Sequence, residues 1–316
     1  MSAKICGRAT VAIVVLSMVP GLSPVGRAQE SFMVEAECDQ VANSESLRRS
    51  MIELLNDSFV REREFVQIHA AEALVEAGEF KDVAAALSAE VETAPPIRRV
   101  GVWRTMARCA KSPAERAAYV ARLREVMLTP GAADRIHAAE SLAKLGEKLV
   151  ADRTAVEQLA EISKPAHACH CLWVLALAGE NSAESRLVAL LKADDPIARL
   201  ASGYVLARLP SLSVESRAAL IAAADAEPSD SPACGYLLAA ALLTCDDARR
   251  NDRKSKLLAQ MALGTVGEQY EGALVLGLRG DADDLRHLAV DKNQSGDARI
   301  GRAQGTLRLL SRLKSH

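Results

Sequence analysis

The chain has 316 residues, of which 49% are apolar and only 3% are aromatic, so its core must be built mainly from Ala, Leu and Val. This composition excludes the commonest β architectures, whose pleated faces use aromatic and β-branched side chains. The 39 basic and 41 acidic side chains give a net charge of -2, which argues against nucleic acid as a partner, because nucleic-acid-binding proteins carry a clear excess of positive charge.

Residues 1–28 have the pattern of a signal peptide that is removed on export. A basic start precedes an apolar run at 11–19, and Gly26-Arg27-Ala28 provides the small side chains that favour cleavage after Ala28. The run is about ten residues long, whereas a helix needs about 20 to cross a bilayer. An uncleaved membrane anchor is the alternative, but we expect an exported protein, periplasmic or secreted, with no integral membrane segment once the signal is removed.

After a lead segment at 29–43, an internal repeat organises residues 44–316. Residues 68–74 and 136–142 nearly copy one another at a separation of 68, which is twice 34, and a diverged copy at 100–106 lies between them. Equivalent anchor residues continue downstream at intervals of 32, 36, 33, 31, 32, 38 and 31. The anchors are Leu74, Met106, Leu142, Leu175, Leu206, Leu238, Leu276 and Leu307. A period in this range predicts a solenoid.

Each repeat is predicted to contain two helices. In the clearest repeat a helix at 185–192 is ended by Asp194-Asp195-Pro196, and a second helix at 197–209 stops at Pro210. We therefore predict an all-α fold, an α-solenoid of about eight antiparallel helix pairs. The longest interval contains the charged run 249–256, for which the pattern predicts an extended loop.

The second helix of this repeat resembles the short, bilin-lyase-like form of the HEAT repeat. That form opens with Asp-Pro-x-x-Arg and continues through an Ala-rich stretch to a Leu. Asp195-Pro196 with Arg199 and then Leu206 follow the pattern, and Asp134-Arg135 keeps part of it. The resemblance extends over about residues 45–312. It implies an armadillo-type α-solenoid with a binding or scaffolding role, whose second helices line the concave surface. The bilin-lyase members act on chromophores, an activity to which nothing else in this sequence points.

Helical periodicity separates two faces of each second helix. With the anchor as position zero, positions -6, -4, -3, +1 and +4 share its face and hold mostly small or apolar residues, so they form the core. Positions -5, -2 and +2 lie on the opposite side, which we call the inner stripe. Positions -5 and -2 carry His69, Glu72, Arg104, His137, Glu140, His170, Trp173, Tyr204 and Tyr236, and position +2 adds Glu76, Arg108, Lys144 and Arg208. If the second helices line a groove, any ligand there meets this stripe.

The stripe changes character along the chain, and each half has more than one interpretation. Glu72, Arg104 and Glu140 alternate in sign on neighbouring helices, so they either face a polar ligand or form a ladder of ion pairs. The Trp and Tyr side chains of the later repeats either face a ligand, contact another protein or are covered by a loop, a terminal helix or a partner subunit. Aromatic strips of this kind suit stacking on sugar rings or the anchoring of a peptide.

The sequence His-Ala-Cys-His-Cys in the middle of the chain suggests a zinc site, but its geometry does not fit one. Cys169 and Cys171 occupy core positions while His170 lies on the stripe, so their donor atoms diverge, whereas zinc needs four converging ligands. His137 and Glu140 with His170 are the alternative ligand set. We predict no metal site and no cofactor.

Three functional hypotheses follow from these features. Because the sequence lacks a Gly-x-Ser-x-Gly elbow, a phosphate-binding loop and His-Glu-x-x-His, we favour a non-catalytic binding or scaffolding protein that captures a protein, peptide or glycan on the stripe. The second hypothesis is an enzyme that acts on a carbohydrate or cell-wall substrate with the His and Glu half of the stripe, which predicts a deep closed pocket there. The third is a structural oligomerisation module that uses the aromatic half as its interface.

Overall fold

The computed structural model describes residues 29–291 and 294–314, with side chains from residue 44 onward. The chain divides into two compact units, residues 1–43 and 44–316. The predicted signal peptide and its cleavage site lie outside the described residues. Every regular element in the described part is a helix and no strand occurs there, so the prediction of an all-α fold is confirmed.

The helices follow one another through short connections. In chain order they are α1 (Gln29–Arg61), α2 (Glu64–Ala77), α3 (Phe80–Leu87), α4 (Arg98–Cys109), α5 (Pro113–Leu128), α6 (Arg135–Lys144), α7 (Arg153–Ile162), α8 (Pro165–Leu177), α9 (Asn181–Leu190), α10 (Pro196–Leu206), α11 (Val214–Ala226), α12 (Cys234–Thr244), α13 (Arg250–Leu263), α14 (Val266–Arg279) and α15 (Gly296–Leu313). Short 3₁₀ helices occupy Ser88–Glu90, Val150–Asp152, Asp247–Arg249 and Ala282–Leu288. Among the described residues, no helix is both long enough and apolar enough to cross a membrane.

Local sequence signals fix where the helices begin and end. Asp195 caps α10 by accepting a hydrogen bond from the Ile197 N–H at 2.9 Å, and Pro196 occupies the first turn, where its missing N–H leaves no bond unmade. The break predicted at this point is therefore confirmed. Helix α2 ends at Gly78, whose φ of 101° lies in the left-handed region, so a residue with a side chain would be strained there.

The helices that carry the predicted anchors pack side by side, and we call them the inner helices. Within the described residues they are α2, α4, α6, α8, α10, α12, α14 and α15. Each contacts the next in this order, and α15 also contacts α2, so the contacts form a closed circuit. All the anchors from the first to Leu276 are buried, and Leu307 in α15 is half-buried.

Glycines bring the backbones of α14 and α15 together. A Cβ built on Gly277 would lie 2.6 Å from the Gly305 carbonyl oxygen, and a Cβ on Gly305 would lie 2.3 Å from the Ala273 carbonyl oxygen. Side chains do not approach a backbone oxygen so closely, so the packing of the last inner helix depends on the absence of a side chain at these positions.

Pairs of arginine and carboxylate side chains join successive repeats. Arg199, the Arg of the HEAT-like pattern, donates to both carboxylate oxygens of Glu227 at 2.8 and 2.7 Å. Arg99 binds Asp134 in the same way, at 2.7 and 3.2 Å. Such two-pronged pairs fix the orientation of both side chains as well as attracting them, so they help to set the register between neighbouring repeats.

The extended loop predicted for residues 249–256 is wrong, because most of this run belongs to α13. Its charges have partners on neighbouring elements: Arg253 donates to Asp225 at 2.7 Å, and Lys254 donates to Asp284 at 2.8 Å. Leu257 and Met261 form the buried face of the same helix. The charged residues come first in this helix and its apolar residues follow them, so the charged run by itself shows no helical periodicity.

Candidate functional site: the inner stripe

The contact of α15 with α2 brings the two ends of the row of inner helices together, and we call the side of these helices that carries the stripe the interior. Trp173 and Arg104 are each 4% exposed and Glu72 is 9% exposed, so these three side chains do not line an open groove. The other predicted stripe residues are half-buried, and 44% of the His137 side chain is exposed; they are His69, His137, Glu140, His170, Tyr204 and Tyr236. The stripe is therefore partly buried by the chain itself.

Side chains from inner helices that are not neighbours meet across this interior. Lys144 of α6 lies 5.8 Å from the centre of the Tyr204 ring of α10, and Arg208, two residues after the end of α10, donates to Glu271 of α14 at 2.6 Å. Phe65 of α2 lies 6.0 Å from the His137 ring of α6, measured between ring centres. The stripe positions therefore converge on a single interior.

Glu72 and Arg104 form the central ion pair. The Arg104 guanidinium donates to both Glu72 oxygens at 2.6 and 3.0 Å and to the Ser141 hydroxyl at 2.8 Å, and Arg108 lies 3.1 Å from the same carboxylate. Burial alone would raise the pKa of Glu72, but the two arginines overcome that effect and lower the pKa to about 2. The first pair of the predicted ladder of ion pairs, Glu72 with Arg104, is therefore present.

Glu140 binds a different partner from the one that the ladder predicts. Its carboxylate lies 2.8 Å from Lys144 on the same helix, and 4.0 Å from His137. Burial opposes ionisation, yet Lys144, His170 and Arg104 hold the pKa of Glu140 well below its usual range. Glu72 and Glu140 are therefore both ionised and engaged at neutral pH.

Acid should weaken the protein through Glu72. Because its pKa is lower in the folded state than in the unfolded chain, its contribution is complete above about pH 4.5 and is lost as the pH falls towards 2, on the order of 3 kcal/mol in all. Urea unfolding across this range checks the expectation. The fall in unfolding free energy should be shallower in a Glu72→Gln variant, and identical pH profiles for the two proteins would contradict it.

The aromatic half of the stripe is packed within the chain. The Trp173 and Tyr204 rings meet edge to face with their centres 6.0 Å apart, and the Arg208 guanidinium lies 3.6 Å from the centre of the Tyr204 ring. The Tyr236 hydroxyl reaches Gly267 so closely that a Cβ there would lie 2.2 Å from it. Trp173, Tyr204 and Tyr236 thus have partners within their own chain, on their own and the neighbouring inner helices.

The seam between α2 and α15 is polar. His69 Nδ1 lies 2.9 Å from Asp297 Oδ1, and the His69 ring centre lies 5.2 Å from that of Tyr270. Gln304 Nε2 donates to Glu76 at 2.6 Å, and Arg308 donates to the same carboxylate at 2.8 Å.

Sequence reasoning missed the residues that α15 contributes to the interior. Gln304 and Arg308 would occupy positions -2 and +2 if the last anchor were residue 306 and not Leu307, so the register there was wrong by one residue. The sequence does hold a signal: Asp297, Gln304 and Arg308 are spaced by 7 and 4 residues, which places polar side chains on one helical face.

Two buried nitrogen atoms on the stripe have no hydrogen-bond partner in the chain. They are Nδ1 of His170 and Nε1 of Trp173. Burial lowers the pKa of both His137 and His170, so both imidazoles are neutral at neutral pH. The two stripe nitrogens without a hydrogen-bond partner in the chain thus belong to uncharged rings.

The cysteines next to His170 face the core. Cys169 and Cys171 are fully buried, and burial raises the pKa of each thiol to about 12, which keeps both protonated and unreactive. Among the described residues, no three His, Cys, Asp or Glu side chains converge in a way that could hold a metal ion.

Comparisons of the chain with protein-family models, with curated proteins and with solved structures find no match.

Proposed function

We propose that the chain is an exported, HEAT-like α-solenoid, closed on itself by α15, that binds a ligand in its interior and catalyses no reaction. The repeat period, the succession of contacts between inner helices and the place of Arg199 between two repeats support the solenoid. The pattern of residues 1–28 supports export.

The observation that carries the proposal is that the stripe carboxylates are engaged by cations or amides while its neutral nitrogens are not. A general acid or a nucleophile needs a carboxyl group that is free to react, and a general acid needs a pKa near the working pH. Glu72 and Glu140 are ion-paired and held ionised, and Glu271 is bound to Arg208. This arrangement favours binding over an enzyme acting on a carbohydrate or cell-wall substrate.

The burial of part of the stripe narrows the class of ligand from a protein, peptide or glycan to a small ligand or the end of a longer one, because side chains such as Trp173 present little surface. His137, with 44% of its side chain exposed, is within reach of a ligand from solution. The burial of Trp173 within its own chain also argues against the aromatic half as an interface for oligomerisation.

A thermal-shift screen of neutral saccharides and of short peptides tests the proposal. At least one compound should raise the melting temperature of the wild-type protein and be recovered chemically unchanged, because a ligand at about 100 times its Kd stabilises the folded state by about 2.7 kcal/mol. A His137→Ala variant should lose the shift, whereas a His287→Ala variant, altered outside the stripe, should keep it. Failure of both libraries, or formation of a product, would refute the proposal.

A further inference from the structure

We propose that the seam between α2 and α15 holds a small carboxylate with an apolar body, whose charge is met by Arg48 of α1. This site goes beyond the proposed function, because its lining comes from the end of α2 and the second half of α15, whereas His137 lies near the beginning of α6. The observations that carry the inference are a cavity in the seam, its apolar walls and an excess of positive charge on its lining.

A cavity of about 290 Å³ lies in the seam. The two helices touch where they begin, since a Cβ built on Gly296 would lie 2.7 Å from Val66 Cγ1. Farther along, the cavity is lined by the small side chains of Ala73 and Ala77 on α2 and by Leu307 on α15. A cavity of ~150 Å³ is large enough for benzene, so this one has room for roughly ten non-hydrogen atoms.

Two walls of the cavity are apolar. Ala73 and Ala77 form the first, and Leu307 with Leu278 of α14 forms the second. Ala73 is buried, whereas 42% of Leu278 is exposed, so the cavity is reached from solvent beside Leu278. Moving the apolar surface of a ligand out of water and onto these walls is favourable, so they select an apolar body.

The charged side chains on the lining do not balance. They are Arg48, Arg308 and Glu76. Arg308 and Gln304 donate to the Glu76 carboxylate at 2.8 and 2.6 Å, so the charges of Arg308 and Glu76 match each other. Arg48 donates only to the Ala77 carbonyl, at 3.1 Å, and no carboxylate of the described residues forms an ion pair with it. The lining therefore carries one positive charge more than negative charge.

The guanidinium of Arg48 has N–H groups left for a ligand. Its Nε and Nη1 atoms have no hydrogen-bond partner among the described residues, and they are not sealed from solvent, unlike the Nε atom of Arg302. A carboxylate there accepts charge-assisted hydrogen bonds, which are roughly twice as strong as neutral ones. The site should therefore prefer a carboxylate to a neutral group of the same shape.

Methyl NMR of the full chain tests the inference. With leucine methyl groups labelled, the Leu278 and Leu307 resonances should move saturably on titration with isocaproate, a small branched acid, with a Kd of about 1 mM or tighter. Isocaproamide has the same shape without the charge, so it should bind at least about tenfold more weakly. The last residue of a peptide offers the same chemistry as a free acid, so N-acetyl-leucine is titrated as well. Binding of either acid supports the inference, and the tighter one identifies the source of the carboxylate.

Three variants separate the charge from the cavity. Arg48→Gln should weaken the binding of isocaproate at least about tenfold and leave that of isocaproamide unchanged, because only the acid uses the charge. Arg49→Gln, at an exposed neighbour that does not line the cavity, is the matched control and should bind the acid as the wild type does. Ala77→Leu should weaken both compounds, because the larger side chain occupies part of the cavity. Circular dichroism checks the folding of each variant, and Ala77→Leu keeps the test decisive if Arg48→Gln does not fold.

Four results would overturn the inference. They are a failure of both acids to move the two leucine resonances at about 10 mM, equal binding of isocaproate and its amide, unchanged binding in Ala77→Leu, and loss of isocaproate binding in His137→Ala, which would place the acid away from the seam. The proposed function is tested separately. If the acid binds while the screen of saccharides and peptides fails, the proposed function is refuted and the seam site stands.

Discussion

Replacing Glu72 with Gln should lower the free energy of unfolding by about 3–5 kcal/mol, because it leaves a buried guanidinium without its counter-ion. Arg104 is 4% exposed and directs two hydrogen bonds at the Glu72 carboxylate. Gln has nearly the shape of Glu, so the loss comes from charge and not from a cavity. Chemical denaturation at neutral pH, followed by circular dichroism, gives the value.

The exposed pair between Glu92 and Arg122 provides a matched control. Its N–O distance of 2.6 Å equals that of the buried pair, but 71% of the Glu92 side chain is exposed. Glu92→Gln should therefore cause little change, since water replaces the lost interaction. In the interior, a second substitution, Arg104→Met, should recover part of the stability lost in Glu72→Gln. Equal effects of the two Glu→Gln variants would show that the interior pair is not desolvated.

Gly305→Ala should destabilise the protein by about 3 kcal/mol, at the upper end of the usual cost of overpacking. The new Cβ would lie 2.3 Å from the Ala273 carbonyl oxygen and 2.9 Å from its carbonyl carbon, and neither atom can move without shifting α14. Because α15 carries the fully buried Ile300 and Leu309, its displacement should also expose apolar surface and increase the binding of a hydrophobic dye. Thermal and urea unfolding measure the first effect and dye fluorescence the second.

Gly272→Ala is the control for this prediction. A Cβ there would lie 2.6 Å from the Met261 Cγ and Sδ atoms, which belong to a flexible side chain that can turn away. Alanine also gains about 1 kcal/mol of helix propensity over glycine, so the net change should be within about 1 kcal/mol. If both substitutions cost the same, the close approach of the two backbones does not hold α15 in place.

The repeat and the helical fold could be predicted because they depend on the spacing of residues that are close together in the sequence. Anchors such as Leu74 and Leu142 recur at a nearly constant interval, and each is fully buried in an inner helix. Asp195-Pro196 begins α10 because its capping chemistry involves only adjacent residues. Features that depend on a few neighbouring residues can thus be predicted from the sequence alone.

The contact of α15 with α2 could not be predicted, because it joins helices more than 200 residues apart in the chain. No single repeat shows whether the last inner helix will reach the first. The one-residue error of register at Leu307 also removed Gln304 and Arg308 from the predicted stripe, so the polar partners of Glu76 were not expected.

Cross-linking of the first inner helix to the last tests the contact of α15 with α2 most directly. His69 Nδ1 and Asp297 Oδ1 lie 2.9 Å apart, so cysteines at both positions, in a Cys38→Ser background, should be joined within one chain by a short bis-maleimide. The five cysteines from Cys109 to Cys245 are buried and should not compete. A cross-linked monomer in the double variant, absent from His69→Cys alone, is the expected result. The absence of any cross-link, or cross-links formed only between chains, would contradict the closure of α15 on α2.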